Sequence, residues 1–204
     1  MADTRRTQAE RAAETREALI AAARPLFASQ GFAEVSLETI VRAAGVTRGA
    51  LYHHFSDKTE LFAAVYERIE ADMAERMGAA IAVTGETDPL AVMRLAAGFW
   101  LDACTDPEIA RIVLAEGPVV LGWVRWNEIG NSYNIGLVRE LLAGAVASGR
   151  IPAQPLEVTA LMVLGAMREA TLFVARAPQY QRARHEAGSV MDRLIEALTL
   201  PPRS

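Results

Sequence analysis

Residues 36–55 read SLETIVRAAGVTRGALYHHF, and this stretch decides the fold. Ser36 can cap a short helix over 37–44, which turns Ile40 and Val41 inward. Thr47 can cap a second over 48–54. Between them lies Gly45-Val46-Thr47, where Gly45 supplies a left-handed turn at no steric cost. Two short helices joined by so tight a turn make a helix-turn-helix, the layout that sets its second helix in the DNA major groove. Ile40, Val46, Leu51 and Phe55 pack the pair onto a preceding helix. Thr47, Arg48, Tyr52 and His53 then point outward, and the small Gly49 and Ala50 permit close approach.

Charge placement supports this. From Thr39 to Ser56 there is no acidic residue, while Arg42, Arg48, His53 and His54 lie inside the stretch and Lys58 just beyond it. Phosphate contacts supply much of the affinity for DNA. The whole chain nevertheless carries a formal net charge of −4, which alone points away from nucleic acid. Residues 1–60 hold eight Lys/Arg and eight Asp/Glu, so the excess acid falls entirely in the remainder.

Upstream, Leu19, Ala22, Ala23, Leu26 and Phe27 recur on one face of a helix over 7–30, ended by Gly31. Pro25 inside it predicts a kink. Arg5 and Arg6 form either a minor-groove arm or a tail. Downstream, Asp57 and Glu60 have capping-box spacing and open a helix to about residue 83. Asp88-Pro89 and Asp106-Pro107 each place an N-cap before Pro at the first helical position, opening helices at 88–104 and 106–115. Gly117-Pro118 reads as a break. Further helices follow at 121–148, 155–176 and 180–199, the last stopped by Pro201-Pro202. The expectation is an all-α chain of about nine helices.

Composition excludes much else. The 204 residues are 51% hydrophobic and 23% charged, which rules out a disordered chain. One cysteine, Cys104, forbids a disulfide framework, and three His leave little for a metal centre. Adjacent His53 and His54 diverge around a helix and share one ion poorly. No nucleophile elbow, phosphate loop or metal-ligand spacing occurs, so neither an enzyme nor a resident cofactor is expected. No apolar stretch reaches the roughly 18 residues of a membrane span, and the polar N-terminus is no signal peptide. A cytoplasmic protein with no membrane attachment is expected.

The sequence resembles the TetR family of one-component transcriptional repressors over roughly residues 13–73. The resemblance rests on Ala22-Ala23-Arg24-Pro25-Leu26-Phe27, Gly31-Phe32, Ile40, the run Ala43 to Phe55, Lys58 and Leu61-Phe62. Pro25 departs from the pattern, where the family usually has a helix former. The resemblance implies an N-terminal DNA-binding domain over 13–73 and an effector-binding and dimerisation domain over 74–204. It implies a homodimer on a palindromic double-stranded DNA operator, with a small-molecule effector that releases it. Carried over by position, Ser36, Thr47, Arg48, Gly49, Tyr52, His53, His54 and Lys58 become the DNA-contact set. Thr47, Tyr52, His54 and Lys58 fall to phosphates, and Arg48 and His53 to base edges. A ligand-independent architectural DNA-binding protein is the alternative.

For the effector, large soft side chains in the middle helices suggest a mainly apolar small molecule. Met73, Met77, Phe99, Trp100, Cys104, Trp123, Trp126 and Tyr133 are the candidate walls, with Arg94, Asn127, Glu128 or Asn131 as the polar contact. The helices at 155–176 and 180–199 suit an isologous four-helix interface. Val158, Leu161, Met162 and Phe173 would contribute from the first, and Val190, Met191, Leu194, Ile195 and Leu198 from the second.

Overall fold

The computed structural model describes residues 8–200; Arg5, Arg6 and the Pro201-Pro202 stop lie outside them. The helices are α1 (Gln8–Gln30), α2 (Leu37–Ala44), α3 (Arg48–His54), α4 (Lys58–Thr84), α5 (Pro89–Ala103), α6, α7 (Trp123–Ala147), α8 (Leu156–Arg176) and α9 (Tyr180–Ala197). The sixth, α6, is a π-helical stretch Ile109–Glu116 that runs directly into α-helical Gly117–Val120. No strand occurs among the described residues.

The caps are those the residue types favour. Ser36, Thr47, Asp57 and Asp88 each accept a hydrogen bond from the backbone N–H three residues on, at the starts of α2, α3, α4 and α5. Gly45 takes φ +66°, and the Val46 N–H reaches back to the Val41 carbonyl at 3.2 Å. That closes a Schellman turn only a glycine enters cheaply.

One expectation about breakers needs correction, at Gly117-Pro118. α1 does not end at Pro25 but continues as a helix to Gln30, as expected. Pro25 and Ala21, whose carbonyl loses its partner, both face solvent, so water can satisfy the orphaned group. Nor does Gly117-Pro118 break α6. The Gly117 N–H donates five residues back to Ile112, and Pro118 sits in the first turn of the α-helical part. A Cβ at Gly117 would stand 2.8 Å from Trp126 Cδ1, so glycine here lets α7 close against α6.

One continuous hydrophobic core runs from Leu19, Phe27, Ile40, Leu51 and Phe62 through Met73, Leu101, Ile112 and Trp126 to Met191. The helix-turn-helix and the larger helical body therefore share a core. A second, smaller cluster at the far end joins Leu90, Met93, Leu142, Ala160 and Ile195.

α8 also corrects an expectation. By length and composition it is apolar enough to cross a bilayer, yet only 28% of its most apolar window is buried within the subunit. Ala160, Met167, Leu172 and Val174 face the core, while Val158, Leu161, Met162 and Phe173 face outward. On α9, Val190 and Leu194 are exposed, whereas Met191 and Ile195 fill the subunit's own core and leave the expected interface set.

Candidate DNA-reading face and ligand chamber

The core side of the helix-turn-helix is closed. Ile40, Leu51 and Phe55 are buried, and Val46 packs against them. The opposite side presents Ser36, Thr47, Arg48, Gly49, Tyr52 and His53 to solvent. Ser36 and Thr47 each have one lone pair committed to a cap. Arg48 folds along its own helix, with its guanidinium 5.6 Å from the Tyr52 ring centroid and 3.4 Å from the hydroxyl. A Cβ at Gly49 would meet only Thr47 Oγ1, at 3.9 Å, so the space above it is open. His54 is half-buried, and its pKa lies below the usual histidine value. Desolvation is the main cause, with the charges of His53 and Arg16 adding to it.

Lys58 sits differently from the rest of that set. Its ammonium donates to the carbonyls of Phe32 (2.7 Å), Val35 (3.0 Å) and Ala33 (3.3 Å) and stands 4.4 Å from the Phe32 ring centroid. An ammonium has three N–H groups, and all three are committed to the loop between α1 and α2. In the DNA-free chain the side chain thus ties that loop to the start of α4.

The helical body holds a chamber of about 90 Å³ between α4, α5, α6, α7 and α8. Trp100, Val113, Leu114, Trp126, Leu164 and Met167 give it apolar walls, while Tyr66, Glu70, Asn131, Asn134, Arg168 and Thr171 give it polar ones. A second space of about 40 Å³ shares Trp100, Asn134, Leu164 and Met167 and adds Met77 and Met93. Of the expected walls, Trp100, Trp126 and Met77 thus line these spaces. Met73 and Cys104 do not: both are packed into the core, and the Cys104 thiol is held by the Trp100 and Thr171 carbonyls. Phe99 lines an outer groove between α5 and α9. Trp123 and Tyr133 are exposed on α7. Among the expected polar contacts only Asn131 lines the chamber; Arg94 is paired with Glu196 instead.

The polar residues that sequence reasoning missed are Tyr66, Glu70, Asn134 and Arg168. Positions 66, 70, 73 and 77 fall on one helical stripe of α4, so the stripe that held the two methionines also held the signal for Tyr66 and Glu70. Glu70 is only 3% exposed. Burial pushes its carboxyl up to about 7, against the opposing pull of Tyr66, Asn134 and the Arg168 charge. Asn134 Nδ2 donates to the Gly130 carbonyl at 2.9 Å, and Tyr66 donates to the Trp126 carbonyl at 3.3 Å. Glu70 Oε2 and Asn134 Oδ1 have no hydrogen-bond partner. Arg168 donates to Asn131 Oδ1 at 2.8 Å and lies over the Trp126 and Trp123 rings at 5.5 and 5.8 Å.

Reading face and chamber are joined by charge. Arg24 of α1 bridges both oxygens of Glu108 at 2.8 Å and also Asp72 of α4. Glu116 accepts the Phe32 N–H at 3.0 Å, and Arg111 reaches the Ser29 carbonyl at 3.3 Å. Arg125 of α7 holds Glu60 of α4 with two hydrogen bonds. The π-helical stretch is central to this. Val113 and Leu114 line the chamber, and the Val113 carbonyl accepts from Trp126 Nε1 at 2.8 Å. Arg111 and Glu116 of the same stretch grip the end of α1.

A helix-turn-helix with an open outer face, fused to a helical body around a mainly apolar chamber, is the architecture of a DNA-binding transcriptional regulator. Residues 19–65 match the family model described as "Bacterial regulatory proteins, tetR family", and residues 90–198 match "Tetracyclin repressor-like, C-terminal domain". The chain belongs to the TetR family of transcriptional regulators. It is 40% identical over 118 residues to the regulator CymR of Pseudomonas putida and 42% identical over 90 residues to AcrR of Shigella flexneri. Those stretches cover 57% and 44% of this chain, and 58% and 41% of the relatives. The crystal structure of a TetR-family regulator from Pectobacterium atrosepticum superposes with TM-score 0.81 at 32% identity, covering 97% of this chain and 100% of that one. RolR, solved with the ligand resorcinol, shares the fold at TM-score 0.74 and 20% identity, with 97% and 100% coverage.

Two outcomes are expected. Lys58→Met should lower the unfolding free energy by about 1–3 kcal/mol, because three carbonyls lose a charged donor. The salt slope of DNA binding should stay at the wild-type value, whereas removing a phosphate contact lowers it by about one. Denaturant unfolding and binding isotherms at several salt concentrations check both. For Glu70, the unfolded chain ionises near 4.5 and the folded chain near 7. Between those values only the unfolded state releases the proton, so stability falls as pH rises through that window and levels off above it. The loss should be on the order of 3 kcal/mol. Glu70→Gln should lack it, so the stability difference between variant and wild type should move in the variant's favour from pH 5 to pH 8 in parallel urea titrations.

Proposed function

We propose that the protein is a repressor that binds a palindromic operator as a homodimer and leaves it when a small, mainly apolar molecule fills the chamber. The outward face of α3, free of acid and open above Gly49, is the observation that carries this. Arg48 and His53 are assigned to base edges, and Ser36, Thr47, Tyr52 and His54 to phosphates, with Gly49 giving clearance. Lys58 leaves the contact set and becomes the clamp that fixes the angle between α1 and α4.

The dimer forms through α8 and α9. Val158, Leu161, Met162 and Phe173 on α8 and Val190 and Leu194 on α9 make an apolar outer face, and a two-fold partner covers it with the same residues. Release is a population shift. A ligand that prefers one arrangement of the chamber moves α4 through Tyr66 and Glu70, and moves the end of α1 through α6. It thereby changes the separation of the two α3 helices. Only differential affinity for the two arrangements does this.

Nuclease footprinting on DNA flanking the protein's own gene should show one protected two-fold site. Arg48→Ala should relax specificity at particular base pairs by about 1–3 kcal/mol each. Uniform, sequence-independent protection would contradict the reading. The double variant Met162→Glu, Phe173→Glu should sediment as a monomer and lose operator affinity while retaining its helical circular dichroism. A variant that remains dimeric would count against the α8–α9 interface.

A further inference from the structure

We propose that Glu70 is the specificity-determining group of the chamber, and that the ligand it selects is a neutral hydroxylated aromatic whose O–H pairs with Glu70 and Asn134. This rests on reading the chamber as the effector site.

The inventory of donors and acceptors carries it. Glu70 and Asn134 are 3% and 9% exposed, both line the chamber, and each has one oxygen without a partner. Buried polar atoms are nearly always paired, so two orphans on one cavity wall mark a place for a ligand's polar group. None of the neighbouring hydrogen bonds ends on either of these two oxygens. Asn134 Nδ2 is on the Gly130 carbonyl, Tyr66 on the Trp126 carbonyl, and Arg168 on Asn131. What these two oxygens lack is a donor.

Charge then narrows the ligand. Glu70 and Arg168 both line the chamber, so an ion of either sign that pairs with one of them also meets the other as a like charge in a desolvated site. A neutral hydroxyl remains, and it serves Glu70 in either form, donating to the carboxylate or accepting from the acid. The other walls, Trp100, Trp126, Leu164 and Met167, are flat or soft and apolar. They suit a ring.

The test titrates 4-propylphenol, its methyl ether, 4-propylbenzylamine and 4-propylbenzoate into the full-length protein at pH 8. Calorimetry and tryptophan fluorescence are the readouts. The phenol is expected to bind at least roughly tenfold more tightly than its ether, because the ether leaves the carboxylate unpaired. Glu70→Leu should erase that preference, chiefly by weakening the phenol. Asn134→Leu should reduce it in the same direction, which keeps a result available if one variant folds poorly. Equal binding of phenol and ether overturns the proposal, as does tighter binding of the amine or the benzoate. So does a preference that survives in both variants, or the absence of saturable phenol binding. Operator release is scored separately. If the phenol binds with the stated preference while DNA stays bound, the effector reading fails and the Glu70 assignment stands. If the ether releases DNA as well as the phenol, the assignment fails and the effector reading stands.

Discussion

The end of α1 is gripped from two sides, and the rest of the molecule depends on that grip. Gly31 has φ +88°, and a Cβ there would stand 2.6 Å from a carboxylate oxygen of Glu116. Only glycine combines that backbone with that approach. From the body, Glu116 takes the Phe32 N–H. From α4, Lys58 takes the carbonyls of Phe32, Ala33 and Val35. One short loop thus has its donor held by the chamber side and its acceptors held by the helix that leaves the reading face. Neither α2 nor α3 can be placed without it, because the loop sets where Ser36 begins the motif.

The π-helical stretch of α6 gives the grip its connection inward. π-Helical turns are rare and gather at functional sites. Here the shifted register lets the Val113 carbonyl meet Trp126 Nε1 while Arg111 and Glu116 point at α1. The stretch has chamber on one face and reading head on the other. The two parts share one core, and a dense interior passes small shifts on. Arg24, bridging Asp72 and Glu108, links the same three elements a turn earlier.

What could be read from sequence was local. The motif at 36–55, its caps and its inward residues depend on neighbours within a turn or two, and there residue type and spacing suffice. The acid-free stretch was equally plain once the net charge was split along the chain. What sequence could not give was long-range partnership. Lys58 looks like any cation at a helix start, and its carbonyls lie 23–26 residues upstream. Glu70 is a partial case. Its place on the stripe of Met73 and Met77 was visible, but a glutamate is normally assigned to a helix's wet side, and only the packing of α7 and α8 buries it. Met73 and Cys104 show the converse, since soft apolar residues line a core as readily as a cavity.

The outer face of α8 raises a question of solvent that composition alone leaves open, because the helix is apolar enough for a bilayer. Its two faces differ in a way that decides the physics. The inner face packs Ala160, Met167, Leu172 and Val174 against α5, α7 and α9, so the helix is already anchored in a charged, helical body. The outer face is apolar at Val158, Leu161, Met162 and Phe173 but also carries exposed Glu169 and Arg176. Charged groups are expensive among lipid tails. In a protein interface they are tolerable where they find a partner or stay wet. Small Gly165 and Ala166 among the large residues let a second helix approach closely. An apolar face that also carries a glutamate and small residues suits a two-fold copy better than a membrane. This favours the covering that would hold two α3 helices at a fixed separation on DNA.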